Sequence, residues 1–213
     1  MIDISYQNRY NVTMDKKELI LSQAERLFAE KGYYGLGLSE LLKRCDIPKG
    51  SFYYYFPDGK IQLIQEVLEY SYQRMRSGIS SWMTTAQSAS HAFDHMVSRL
   101  AEGIEKKHYL PSMMLSMIAI ESVYLDEEVN QTCRRIYRNW QQFYRECLQQ
   151  FGYDEQESLR TAQAVFALIH GSLISSWIKQ DPEDLYLIRT VLKQMLEAQP
   201  AGVRISERRP ACF

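Results

Sequence analysis

Residues 38–60, LSELLKRCDIPKGSFYYYFPDGK, constrain this chain more than any other stretch. They read as a short helix, a tight turn, a second short helix and the capped start of a third. Ser39 is placed to cap the first helix, and Glu40 in its first turn is favoured by the helix dipole. Leu41 and Leu42 face inward. Asp46-Ile47-Pro48 breaks the period, because Asp tolerates unusual backbone angles and Pro suits the first position of a new helix. That helix, Lys49 to Tyr55, carries Lys49, Gly50, Ser51, Tyr53, Tyr54 and Tyr55, with Phe52 and Phe56 available to anchor it. Two short helices around a tight turn, the second rich in hydrogen-bonding side chains, predict a helix-turn-helix whose second helix enters the DNA major groove. Three consecutive tyrosines in a strand-like or core setting are the alternative, which leaves the preceding Lys, Gly and Ser unexplained.

The same residues resemble the DNA-binding signature of the tetracycline-repressor (TetR/AcrR) family of transcriptional regulators. The opening Thr or Ser of that signature is matched by Ser39, and its small-Gly-Val turn by Cys45-Asp46-Ile47. The basic-Gly-Thr/Ser-aromatic-Tyr run is matched by Lys49-Gly50-Ser51-Phe52-Tyr53, and the closing aromatics, Phe and Lys by Tyr54, Tyr55, Phe56 and Lys60. Asp46 replaces the usual turn Gly, Tyr55 the usual His, and the PDG loop holds one residue more than the commonest form. The KGS…YFPDGK version resembles the LmrA/YxaF-like branch. The resemblance implies base or phosphate contacts by Lys49, close backbone approach at Gly50, phosphate donation by Ser51, and hydroxyl and ring contacts by Tyr53 and Tyr54. It also implies a phosphate clamp at Lys60 with the N-terminus of its helix.

The rest of the chain fits an all-α, two-domain protein. Its 213 residues, 46% hydrophobic, suffice for one or two sizeable cores. Net charge is −1, so any DNA affinity must come from a local basic patch. No apolar run approaches the roughly 20 residues of a membrane span, and MIDISYQNRY lacks the apolar core of a signal peptide. A cytoplasmic protein with no membrane partner is expected. Cys45, Cys133, Cys147 and Cys212 form no C-x-x-C pair. Cys133 and Cys147, on one helix, would stand about 21 Å apart, too far to bridge.

Residues 1–14 read as an arm with Arg9 its only basic residue. Asp15 with Glu18 is a capping pattern, and an amphipathic helix follows to Lys31 with Leu19, Ile20, Ala24, Leu27 and Phe28 on one face. Gly32 ends it. A longer helix runs over 60–76, closed by Ser77-Gly78 and the Ser/Thr-rich stretch 80–90. Further helices are expected over 91–106, 111–125, 126–151, 155–180 and 182–197, with no alternation suggesting strands. The domain division expected is 1–59 for the arm and DNA-binding head and 60–198 for a helical effector-binding and dimerisation domain. Residues 199–213, with Arg204, Arg208 and Arg209, read as a disordered tail.

Residues 111–180 are rich in Met and aromatics. Met113, Met117, Glu121, Trp140, Tyr144, His170 and Trp177 are the candidates for lining a small-molecule pocket, against the alternative that such residues are ordinary core. Glu121 stands out: a carboxylate in an apolar stretch needs a cationic ligand or an internal partner such as Arg134, Arg138 or His170. The last two helices carry small and apolar residues suited to a four-helix dimer interface, with Ala164, Gly171, Ile188, Leu192 and Met195 as its candidates. His91 and His95 at i, i+4 have metal-ligand spacing but no third ligand, so an exposed helix face is expected, and neither metal nor cofactor. The reading is a homodimeric, ligand-responsive regulator of a double-stranded operator, repression being carried over from the family. The alternative is a helical ligand-binding protein or enzyme using the aromatic pocket, for which no nucleophile–base pair is evident.

Overall fold

A computed structural model describes residues 15–83, 85–106 and 110–197. The arm 1–14, Lys107 and His108, and the tail 199–213 fall outside the described residues. All regular structure among the described residues is helical, in nine segments: α1 Lys16–Gly35, α2 Leu38–Cys45, α3 Lys49–Tyr55, α4 Lys60–Met83, α5 Ala89–Glu105, α6 Pro111–Ser122, α7 Glu127–Gln150, α8 Glu155–Lys179 and α9 Glu183–Glu197. They form two compact units. One takes the chain up to Met75 together with Pro111–Arg134; the other takes Arg76–Leu110 and everything from Arg135. The boundaries of the compact units thus differ from a single cut at residue 60, since α4 and α7 each contribute to both.

In the first unit the sequence punctuation becomes geometry. Asp15 caps α1, its carboxylate accepting the Lys17 N–H at 3.4 Å. Ile20, Ala24, Leu27 and Phe28 are fully buried along one stripe. Gly32, at φ 68° and ψ −177°, breaks the helix before one last turn to Gly35. That φ lies in the region where only glycine is unstrained. Leu63, Ile64, Val67 and Leu68 of α4 and Met114, Leu115 and Ile118 of α6 complete the core, with α6 packing along α1. Glu25 lies inside as well, 2% exposed, taking the Ser71 hydroxyl on one oxygen and the Arg74 guanidinium at 2.9 Å on the other.

α4 does not stop at residue 76. It continues through Ser77 and Gly78 to Met83. A lone Ser and Gly cost a helix only about 1 kcal/mol against Ala, too little to end it without a cap or a proline.

The second unit packs α5 and α8 on α9. Ser88 caps α5 and Asp154 caps α8, each accepting a first-turn N–H, at 3.1 and 2.8 Å. Phe93, Val97, Ile169, Leu173, Leu185, Ile188 and Leu192 are buried between these helices. Arg189 grips Asp94 with two bonds of 2.7 and 3.0 Å. His91 lines an open polar groove beside them, and the His95 ring lies 4.4 Å from Trp82. Among the described residues one helix, α8, is long and apolar enough to cross a membrane by length and composition, against the expectation that no run is. Its Ala162, Val165, Phe166, Ile169 and Leu173 are buried within this unit.

The expected dimer residues divide. Ile188 and Leu192 are buried inside the single chain, 5% and 2% exposed, so they are core and not a face for a partner. Met195 is half-buried. Ala164 and Gly171 are exposed on α8. The apolar pattern of α9 held two faces: Leu185, Ile188, Leu192 and Leu196 turn inward, while Leu187 and Val191 face out. Leu192→Ala is therefore expected to lower unfolding free energy by about 2–5 kcal/mol, as for a methyl-rich core side chain. Val191→Ala should cost under about 1 kcal/mol in the same denaturant titration at a concentration where the chain is monomeric.

Candidate nucleic-acid interface

The turn between α2 and α3 is closed by its backbone. Asp46 sits at φ 51°, ψ 50°, its N–H bonded to Lys43 O at 3.3 Å, and the Ile47 N–H returns to Leu42 O at 3.1 Å. This is a helix-ending motif in which glycine usually takes the left-handed position and Asp is the tolerated substitute. α2 begins at Leu38 with Gly37 in the cap position, so Ser39 lies inside the first turn, exposed, and does not cap the helix. Pro48 stands one residue before α3, where its carbonyl accepts the Ser51 N–H at 3.0 Å.

α3 spans Lys49–Tyr55, as its sequence predicts. Phe52 and Phe56, one turn apart, are buried and stacked with centroids 5.3 Å apart. That anchoring leaves Lys49, Gly50, Tyr53 and Tyr54 exposed, with Ser51 and Tyr55 half-buried. The Lys49 ammonium lies 5.8 Å from the Tyr53 ring centroid, and Tyr54 packs edge-on to Tyr55. A Cβ added at Gly50 would meet nothing within 4 Å. No packing inside the chain therefore requires a glycine there, as is also true of Gly37 and Gly78.

The loop into α4 is held by Gln62, whose amide accepts from the Asp58 N–H at 3.1 Å and donates to Glu66 at 2.9 Å. Sequence reasoning missed Gln62. The signal was a Gln three residues beyond Gly59, the spacing at which a side chain reaches back to a helix start. Lys60 is not poised as a phosphate clamp in this structure. Its ammonium donates to the Leu36 carbonyl at 2.9 Å and lies 4.3 Å over the Tyr33 ring, and burial lowers its pKa. The first turn of α4 carries no acidic residue.

The candidate ligand residues separate. Met113 is buried and Met117 half-buried on α6, in the first unit. Glu121, also on α6, accepts the Tyr33 N–H at 3.0 Å. It is neither stranded in an apolar pocket nor paired with Arg134, Arg138 or His170, so the cationic-ligand expectation loses its basis. In the second unit Trp140, Phe143, Tyr144 and Phe93 pack ring on ring, 5.2–6.2 Å between centroids, with the Tyr144 hydroxyl 3.5 Å from Met96 Sδ. Trp140 and Tyr144 are core. His170 stacks 4.0 Å from Phe166 and 5.6 Å from Tyr137, and its buried Nδ1 has no partner among the described residues. Burial holds its pKa down to about 4, so the ring is neutral at physiological pH. Trp177 is half-buried.

An exposed helix seated on buried aromatics behind a left-handed turn defines a helix-turn-helix DNA-binding protein. The chain belongs to the tetR family of bacterial regulatory proteins: the model of that name matches residues 20–67, and the model of the transcriptional regulator LmrA/YxaF-like C-terminal domain matches 89–191. It is 29% identical to the HTH-type transcriptional regulator LmrA of Bacillus subtilis over 183 residues, 86% of this chain and 97% of LmrA. With YxaF of the same organism the identity is 26% over 174 residues, 82% of this chain and 91% of YxaF. The fold is shared with reduced E. coli NemR, with a TM-score of 0.78 at 23% identity over 89% of this chain and all of that one.

Gly50→Ala should hold or raise thermal stability, since Ala gains roughly 0.5–1 kcal/mol over Gly within a helix. The same change should weaken DNA retardation. Unchanged retardation would show that the open space at Gly50 is not used by DNA.

Proposed function

We propose that this regulator is a repressor that occupies a pseudo-palindromic operator as a homodimer and is released by a small, largely apolar effector. The observation that carries the reading is the outer surface of α3, where Lys49, Tyr53 and Tyr54 are exposed over the buried Phe52–Phe56 pair. Lys49 serves base or phosphate recognition at the helix start, Gly50 and Ser51 approach the backbone, and the tyrosines supply hydroxyls and ring edges to sugar, phosphate and thymine methyls. Ser39 and Tyr55 flank this surface, while Lys60 acts from behind it. A cytoplasmic setting, with neither membrane nor catalytic role, accompanies this reading.

Ala164, Gly171 and Ile178 on α8 and Leu187 and Val191 on α9 are exposed and small or apolar. They support an isologous four-helix interface in place of the buried Ile188 and Leu192. For the effector, the unpartnered Nδ1 of His170 among Tyr137 and Phe166 favours a molecule that is apolar in bulk with one hydrogen-bonding group. Release requires that it bind the DNA-incompetent arrangement better than the competent one.

Retardation of the DNA upstream of the chain's own gene tests the assignment. Lys49→Ala should relax base preference at a restricted position in each half-site, while Val191→Arg should yield a monomer by sedimentation and lose operator affinity, because two half-sites must be read together. Wild-type affinity in both variants would reject the interface and the assembly alike.

A further inference from the structure

We infer that Glu121 is a positioning residue for DNA reading: its carboxylate on α6 holds the break at Gly32, and through it the end of α1 that leads into the helix-turn-helix. The inference rests on the regulator reading above and adds a residue outside the DNA surface.

The geometry has three parts, all within the first unit. The ψ of −177° at Gly32 turns the following peptide away from the helical direction, so the Tyr33 N–H leaves the ladder of α1. Glu121 Oε2 accepts that N–H at 3.0 Å. A hydrogen bond to an ionised acceptor is about twice as strong as a neutral one. Second, the carboxylate is packed against the glycine itself: a Cβ at Gly32 would lie 2.7 Å from Glu121 Oε1. Glycine is required here twice over, for its φ of 68° and for the room that the carboxylate fills. Third, Lys60 reaches back from the start of α4 to Leu36 O, over the Tyr33 ring, and the charge of Glu121 favours its protonated form.

Glu121, Tyr33, Lys60 and Leu36 thus form one connected set joining α6, the end of α1 and the beginning of α4. α2 begins at Leu38, two residues beyond the carbonyl that Lys60 holds. Any change in where α6 presents Glu121 alters the direction in which the chain enters α2, and with it the seat of α3. Arg134, Arg138 and His170, the cationic partners its sequence suggested, take no part.

The test uses the full chain. Glu121→Ala removes the acceptor, whereas Glu121→Gln keeps a side-chain oxygen of the same reach. In Glu121→Ala the Tyr33 amide should exchange its hydrogen about tenfold faster or more. Affinity for a retarded upstream fragment should fall about tenfold, while affinity for random DNA at low salt stays within about twofold, since the phosphate donors are untouched. Glu121→Gln should stay within about threefold of the wild type on operator. If Glu121→Ala does not fold, Glu121→Ser, too short to reach Tyr33, replaces it with the same expectations. Wild-type operator affinity in Glu121→Ala, an equal loss on operator and random DNA, or unchanged Tyr33 exchange overturns the proposal. A wild-type chain that retards no DNA counts against the regulator reading, and amide exchange then decides the role of Glu121 alone.

Discussion

A helix of seven residues does not persist in water, because nucleation consumes most of what its few hydrogen bonds return. Everything α3 presents therefore depends on the burial of Phe52 and Phe56. Each contributes about 1.5–3 kcal/mol when fully removed from water, and their spacing of one turn fixes the rotation of the helix about its axis. That rotation makes Lys49, Tyr53 and Tyr54 point outward together. The neighbouring core of Phe28, Leu41 and Leu63, all fully buried, belongs to α1, α2 and α4, so the short helix borrows its permanence from longer ones.

Much of this was legible. The bounds of α3 follow from Pro48 and from the loss of period after Tyr55, and the left-handed turn at Asp46 from a residue that tolerates it. Gly32 marked a true break. Three kinds of fact were not legible, for one reason: they depend on which surfaces meet. Periodicity showed that α9 is apolar, yet could not tell its inward stripe at Ile188 and Leu192 from its outward one at Leu187 and Val191. Residue type marked Glu121 as needing a partner, but that partner is the backbone N–H of Tyr33, 88 positions away, released by the break at Gly32. Lys60 occupies the expected position in sequence while its ammonium turns to Leu36. Ser39 illustrates a smaller limit, since cap position shifts by one residue with the geometry of the preceding loop.

α1 is the strut of the first unit. Near its start Lys17 pairs with Glu66 of α4 at 2.7 Å. At its middle Glu25 meets Ser71 and Arg74, an arrangement that offsets the several kcal/mol that burying a lone carboxylate would cost. At its end the Tyr33 N–H meets Glu121. On the outer side of the head Arg44 and Lys31 bind Glu30 and Glu40 at 2.6–3.3 Å. Those exposed pairs add little stability, but they occupy the two cations, Lys31 and Arg44, that would otherwise be free to meet phosphate.

The cysteines carry a further consequence. Cys45, Cys133 and Cys147 are free and buried, and desolvation pushes Cys45 up to about 11 and Cys147 up to about 12. At neutral pH they are protonated thiols shielded from solution, and thiolate is the form that reacts. Alkylation of each must wait for the structure around it to open. Cys45 and Cys133 belong to one compact unit and Cys147 to the other. In a Cys212→Ser background, the native chain thus carries its own clocks, one set for each unit, and the rates at which a maleimide marks them would time the opening of the DNA-reading end separately from that of the helices around α9.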